Sequence, residues 1–164
     1  MKEFFILFIF VINIGCAHGE EGCGYIFFKG AELSIPPKWK VDEKNGCLNI
    51  KRHGSYDLES FEICKYTSSE GGYLFVRNED DKWEAVTEGT PILADVNAIS
   101  KFTGLSAIVS CRYKDDAGYH LEQCFQAEIF LPKNKGFTFI GKGDLNSFDI
   151  YKKIYLSLKI KGVE

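Results

Sequence analysis

This chain is poor in the residues that usually carry chemistry. It has three histidines, one methionine and four prolines. No HExxH, no CxxC and no clustered Cys/His set offers a metal site. No GxSxG elbow presents a serine nucleophile. The glycines at 71, 72, 141 and 143 do not form a phosphate loop, and Asn78 to Asp81 is too short for a calcium loop. An excess of one charge is also missing: 20 basic residues stand against 23 acidic, a net charge of −3. Without a basic stripe there is no nucleic-acid surface to expect. Repeats, linkers and low-complexity stretches are absent, and so is any long apolar run after the first 14 residues. These absences favour binding over catalysis, with no cofactor and no metal.

What is present begins at the start. In MKEFFILFIFVINIG, Lys2 gives a positive end, and Phe4 to Ile14 is apolar apart from Asn13. Gly15, Ala17 and Gly19 follow. This is the layout of a secretory signal peptide, too short to span a bilayer comfortably. Ala17 and Gly19 mark a cut that frees a domain of residues 20–164. The alternative is Asn13-Ile14-Gly15-Cys16, which resembles a bacterial lipoprotein box. That route ends the leader at residue 15 and makes Cys16 a lipid anchor. Export places the protein in a periplasmic, periplasm-facing or secreted location, where disulfides persist. Either route leaves an odd cysteine, with Cys23 the one over.

A mature chain of about 145 residues reads as one domain with a real core. The 14 Phe and 8 Tyr favour strands. Tyr25 to Phe28 and Glu32 to Ile35 flank a turn at Lys29-Gly30. Pro36-Pro37 ends the second strand, and Trp39 folds back over the sheet. Leu48 to Arg52 pairs with Leu58 to Cys64, and Tyr73 to Arg77 with Trp83 to Val86. Thr90-Pro91 is a helix-start signal. With Ile92, Leu93, Val96 and Ile99 at helical spacing and Gly104 as a stop, it predicts a helix at about 91–101. Leu105 to Tyr113, Tyr119 to Leu131 and Phe137 to Ile140 are three further strands. Asp144 or Ser147 caps a last helix, about 146–157, with Phe148, Tyr151, Ile154 and Tyr155 on one face. Leu158 and Ile160 close the chain as a short strand. Lys152, Lys153, Lys159 and Lys161 read as a solvated surface. The expectation is an α+β fold, mainly an antiparallel sheet of hairpins with two helices.

The cysteine spacing agrees with the hairpins. A two-residue loop at Ser55-Tyr56 puts Cys47 opposite Cys64. It also separates Leu48, Ile50, Phe61 and Ile63 from Asn49, Lys51, Ser60 and Glu62, face from face. A loop at Ala117-Gly118 puts Cys111 opposite Cys124. Cys47–Cys64 and Cys111–Cys124 are therefore the predicted disulfides, each contributing about 3 kcal/mol in the loop-entropy model. Stapled hairpins suggest stiff projecting ribbons. In the second ribbon, Tyr113, Asp115, Asp116, Tyr119 and His120 form the candidate binding tip, since rigid aromatics beside polar groups suit interface hot spots. His120 with the two aspartates reads as a polar turn before it reads as a metal site, and His53 as a solvated turn residue.

Two segments resemble small exported proteins of the Mog1/PsbP-like class. One is Ala31 to Trp39, with its strand, prolines and tryptophan. The other is Phe148 to Ile160, with its closing helix and strand. The resemblance implies an α+β fold and no functional residue. By general character the chain also resembles immunity proteins of type VI secretion effectors, which plug a toxin's cleft with a loop. That resemblance implies an exported inhibitor of a secreted toxin or enzyme, acting by occlusion. The alternative role is an envelope lipoprotein with a structural or accessory assembly function, touching the membrane only through Cys16.

Overall fold

Tight turns build most of this molecule, described here from a computed structural model. The structure describes residues 24–37, 39–52, 59–67, 74–87, 90–115 and 118–161. The leader, both cleavage sites, Cys16, Cys23, His53, Leu58, Tyr73, Asp116 and the turn at 54–57 lie outside these residues. Lys29 and Gly30 take φ of 48° and 89°, and Asn45 and Gly46 take 53° and 76°. An αL pair of this kind matches the right-handed twist of antiparallel strands. The first turn joins β1 (Gly24–Phe28) to β2 (Ala31–Ile35), and the second joins β3 (Trp39–Lys44) to β4 (Cys47–Arg52).

The remaining strands are β5 (Ser60–Thr67), β6 (Phe75–Arg77), β7 (Trp83–Ala85), β8 (Ile92–Leu93), β9 (Asp95–Ile99), β10 (Phe102–Asp115), β11 (Gly118–Leu131), β12 (Lys135–Lys142) and β13 (Lys159–Ile160). Helix α1 (Leu145–Leu156) is the single helix among the described residues. The main sheet has seven strands in the order β3-β4-β5-β12-β11-β10-β9. Two three-stranded sheets, β1-β2-β13 and β6-β7-β8, complete the fold. Every pairing is antiparallel.

Alternation along the long strands gives the main sheet two apolar faces. Phe61 and Ile63 on β5, Phe137 and Phe139 on β12, and Phe125, Ala127 and Ile129 on β11 pack under α1 and β2. Asp144 caps α1 by accepting from the Ser147 backbone N–H at 2.8 Å, and Phe148, Tyr151, Ile154 and Tyr155 are the buried stripe. Tyr151 stacks on Phe61, ring centroids 4.7 Å apart. Trp39 heads β3 and meets the Tyr151 ring edge-on at 6.0 Å. On the opposite face, Leu105, Ala107, Val109 and Cys124 pack against Phe75 and Ala85 of the β6-β7-β8 sheet.

Three expectations need correction. The helix at about 91–101 does not form, and that segment is strands β8 and β9. Gly104, read as a helix stop, lies inside β10, where a Cβ would collide with the Tyr155 hydroxyl and Ile99. Strand β3 was not expected from the sequence, although Asn45-Gly46 is a strong hairpin signal. The α+β class, the mainly antiparallel sheet and both disulfides are present.

Candidate functional site: the stapled β10–β11 ribbon

β10 and β11 are each 14 residues long, the longest strands of the fold. Their neighbours are shorter. β9 pairs with β10 only from Phe102 to Ser106, and β12 pairs with β11 only from Cys124 to Leu131. Beyond those limits, 110–115 and 118–123 are paired in the main sheet only with each other. At a strand's rise per residue this is a two-stranded arm roughly 20 Å long. An isolated hairpin is marginal in water. Here the Cys111–Cys124 bridge holds the arm near its base, and the β6-β7-β8 sheet covers one face of its root at Val109 and Cys124.

The register differs from the expected one. Cys47 lies directly opposite Cys64, as the sequence predicts, with Cα atoms 4.4 Å apart. Cys111 does not lie opposite Cys124. It faces Glu122, and Cys124 faces Val109, so the second bridge runs diagonally, Cα to Cα 5.8 Å. The last described pair is Asp115 with Gly118, so Gly118 belongs to β11 and not to a loop at Ala117-Gly118. A slip of two residues keeps every side chain on its own face, so face patterning could not have detected it.

At the far end, the backbone register pairs Tyr113 with His120 and Lys114 with Tyr119. The binding candidates Tyr113, Asp115, Tyr119 and His120 are therefore gathered at one end of the arm, though their side chains lie outside what is described, as does Asp116 entirely. Closer to the root, Ile108, Ser110, Arg112, Glu122 and Gln123 are exposed.

Two further features went unrecognised in the sequence. Glu128, inside β11, is 1% exposed. It accepts from the Tyr66 hydroxyl at 2.7 Å and from the Leu74 N–H at 3.0 Å, and burial pushes its carboxyl above the ordinary carboxylate range. It thereby satisfies the backbone N–H that immediately precedes β6. The one charge in the stretch Phe125 to Leu131, where Gln126 is the only other polar residue, is the available signal. The second feature is a cavity of about 230 Å³ between α1 and the root of β10, lined by Leu93, Ile108, Phe125, Phe148, Asp149 and Lys152 among others. Lys152 spans its mouth to Asp95 at 2.9 Å.

Cys47, Glu62 and Cys64 are the one cluster of metal-ligating type among the described residues. The two sulfurs are bonded to each other, which removes the thiolates that a metal would need. The lysines near the end are paired at the surface: Lys159 and Lys161 both reach Glu32, holding its carboxyl below the usual range.

No family model matches the chain, and no curated protein is similar to it. Among solved structures, the chain is similar to one from Bacteroides thetaiotaomicron VPI-5482, at 10% identity and a TM-score of 0.49. The match covers 81% of this chain and 46% of the other, so this chain spans less than half of that protein's length. The two disulfides are compatible with an oxidising compartment. No helix among the described residues is long and apolar enough to cross a membrane.

Proposed function

We propose that this is an exported binding protein that inhibits a protein partner by occlusion, with the tip of the β10–β11 ribbon inserted into the partner's cleft. The observation that carries this reading is the length of the ribbon. It outruns β9 on one side and β12 on the other, and a disulfide ties it near its root. A pre-ordered arm loses little conformational entropy on docking, which is the condition for a small contact to bind tightly. The tip residues Tyr113, Asp115, Asp116, Tyr119 and His120 supply aromatic and hydrogen-bonding groups. Immunity proteins that neutralise secreted antibacterial effectors in the periplasm are the class this role resembles, and a toxin or enzyme is then the partner. No chemistry by this chain is required.

The test is affinity capture from envelope extract with residues 20–164. A parallel sample has 113–120 replaced by a short Gly/Ser turn. One stoichiometric partner that is lost with the tip, and whose activity is blocked by the intact chain, supports the reading. A partner held equally by both forms, or no partner for either, removes it.

A further inference from the structure

The ribbon has an open edge as well as a tip. β9 joins β10 through the two-residue turn Ser100-Lys101, so Phe102 and Ile99 form a hydrogen-bonded pair, and the even-numbered residues of β10 direct their backbone groups toward β9. The last described pair, Asp115–Gly118, gives the complementary answer, since the odd-numbered residues bond to β11. Past Ser106 no described strand pairs with β10 on the β9 side. The chain before Asp95 leaves β10, and the Ala94 N–H bonds to the Trp83 carbonyl instead. The backbone groups of Ile108 and Ser110 therefore face an edge with which no strand among the described residues pairs.

Natural edges are usually blunted by charge. The other edge of the same sheet obeys this rule, with Lys40, Asp42, Glu43 and Lys44 along β3. The β10 edge carries one charge, Arg112, over 107–112. It also adjoins the cavity against α1. Ile108, 44% exposed, belongs to both the edge and the cavity wall, with Leu93, Phe125 and Phe148 beside it. Charge at the cavity mouth is unequal. Lys152 is engaged with Asp95, while Asp149 has no ion pair among the described residues.

We infer that the β10 edge accepts an extended segment of a protein partner as an added antiparallel strand, with an apolar side chain seated in the cavity and a basic neighbour beside Asp149. Main-chain bonds to Ile108 and Ser110 give the affinity, and the cavity gives the selectivity. The surface is separate from the ribbon tip, and the inference does not depend on the tip's role.

The test uses residues 20–164 and a fluorescent, end-blocked peptide, Thr-Val-Thr-Leu-Lys-Val-Thr-Val. Anisotropy measures binding, and amide resonances report where it occurs. The amides of Ile108 and Ser110 are expected to shift more than those of Val109 and Cys111. Ser110→Pro removes an outward N–H without touching the bonds to β11 and is expected to weaken binding about tenfold. Asp149→Lys, on the exposed side of α1, is expected to weaken it about threefold. Replacing 113–120 by a Gly/Ser turn leaves peptide binding unchanged, which separates this inference from the tip reading. No binding by the wild-type chain, or equal binding by both point variants, overturns the inference. So does a dimer in sedimentation that Ser110→Pro abolishes, because the edge then belongs to a second copy.

Discussion

Cys111 and Cys124 are joined across a diagonal of the β10–β11 ladder, each standing opposite a different residue, Glu122 and Val109. Cys124 is buried against the β6-β7-β8 sheet, and Cys111 lies partly exposed toward the arm. The bridge thus connects the last packed position of β11 to the first stretch of β10 that leaves the core. Its effect falls on the stiffness of the arm before it falls on the fold.

The double variant Cys111→Ser/Cys124→Ser is expected to keep its main sheet and lose order in the ribbon. Hydrogen exchange at 110–123 should accelerate by at least about a hundredfold, because a free hairpin is marginal in water. Exchange in β5 and β12 should stay as it was. An unchanged ribbon would show that strand pairing alone keeps the arm rigid.

A second expectation concerns the packing that anchors the ribbon's root. Gly141 on β12 lies under Tyr151 of α1, and a Cβ there would enter the Tyr151 ring. That ring cannot retreat, since it stacks on Phe61 with planes 6° apart and its hydroxyl donates to the Lys142 carbonyl at 2.7 Å. Gly141→Ala should therefore destabilise by about 1–3 kcal/mol, the usual range for overpacking. Chemical denaturation measures it. A neutral result would mean that α1 slides on the sheet.

The sequence makes much of this arrangement legible, and its failures have physical causes. Alternation along Leu48 to Phe61 fixes the β4–β5 register, because a slip of one residue exchanges the two faces. The same test is blind to a slip of two, which is the error made at Cys111 and Cys124. The stripe of α1 reads correctly because Phe148, Tyr151, Ile154 and Tyr155 recur over a full 12-residue helix. Over 92–99, four apolar residues fit helical spacing just as well, yet three are β-branched, and Val96 is 65% exposed where a helix face would bury it. Tertiary pairing with β10 decides that segment, and Ser100, at φ 55°, makes the reversal. Stapling suggests that both hairpins project, yet only β10–β11 outruns its neighbours, while β4–β5 lies inside the main sheet between β3 and β12. The β10 edge past Ser106 is not legible in the sequence, because it depends on where β9 stops.

Glu128 offers the clearest pH signature. Burial raises its carboxyl above the ordinary value, so the folded protein holds this proton more firmly than the unfolded chain does. A raised pKa contributes stability that is complete below the unfolded value, about 4.3, and is lost as pH rises through the folded one. Asp144 acts in the opposite sense. Its carboxylate is held below the usual range by the Ser147 N–H, so its contribution is present at neutral pH and disappears in acid. Between neutrality and the ordinary carboxylate range, the Glu128 contribution therefore favours the fold as pH falls. Further down, the Asp144 contribution reverses the trend. The substitution Glu128→Gln should abolish the rise and leave the acid loss intact. It should also lower stability by about 1–3 kcal/mol, because its amide turns a donor toward the Tyr66 hydroxyl or the Leu74 N–H where a carboxylate accepts from both. Thermal melts of both proteins from pH 7 downward measure this. If the two pH profiles are parallel, a group other than Glu128 sets the slope.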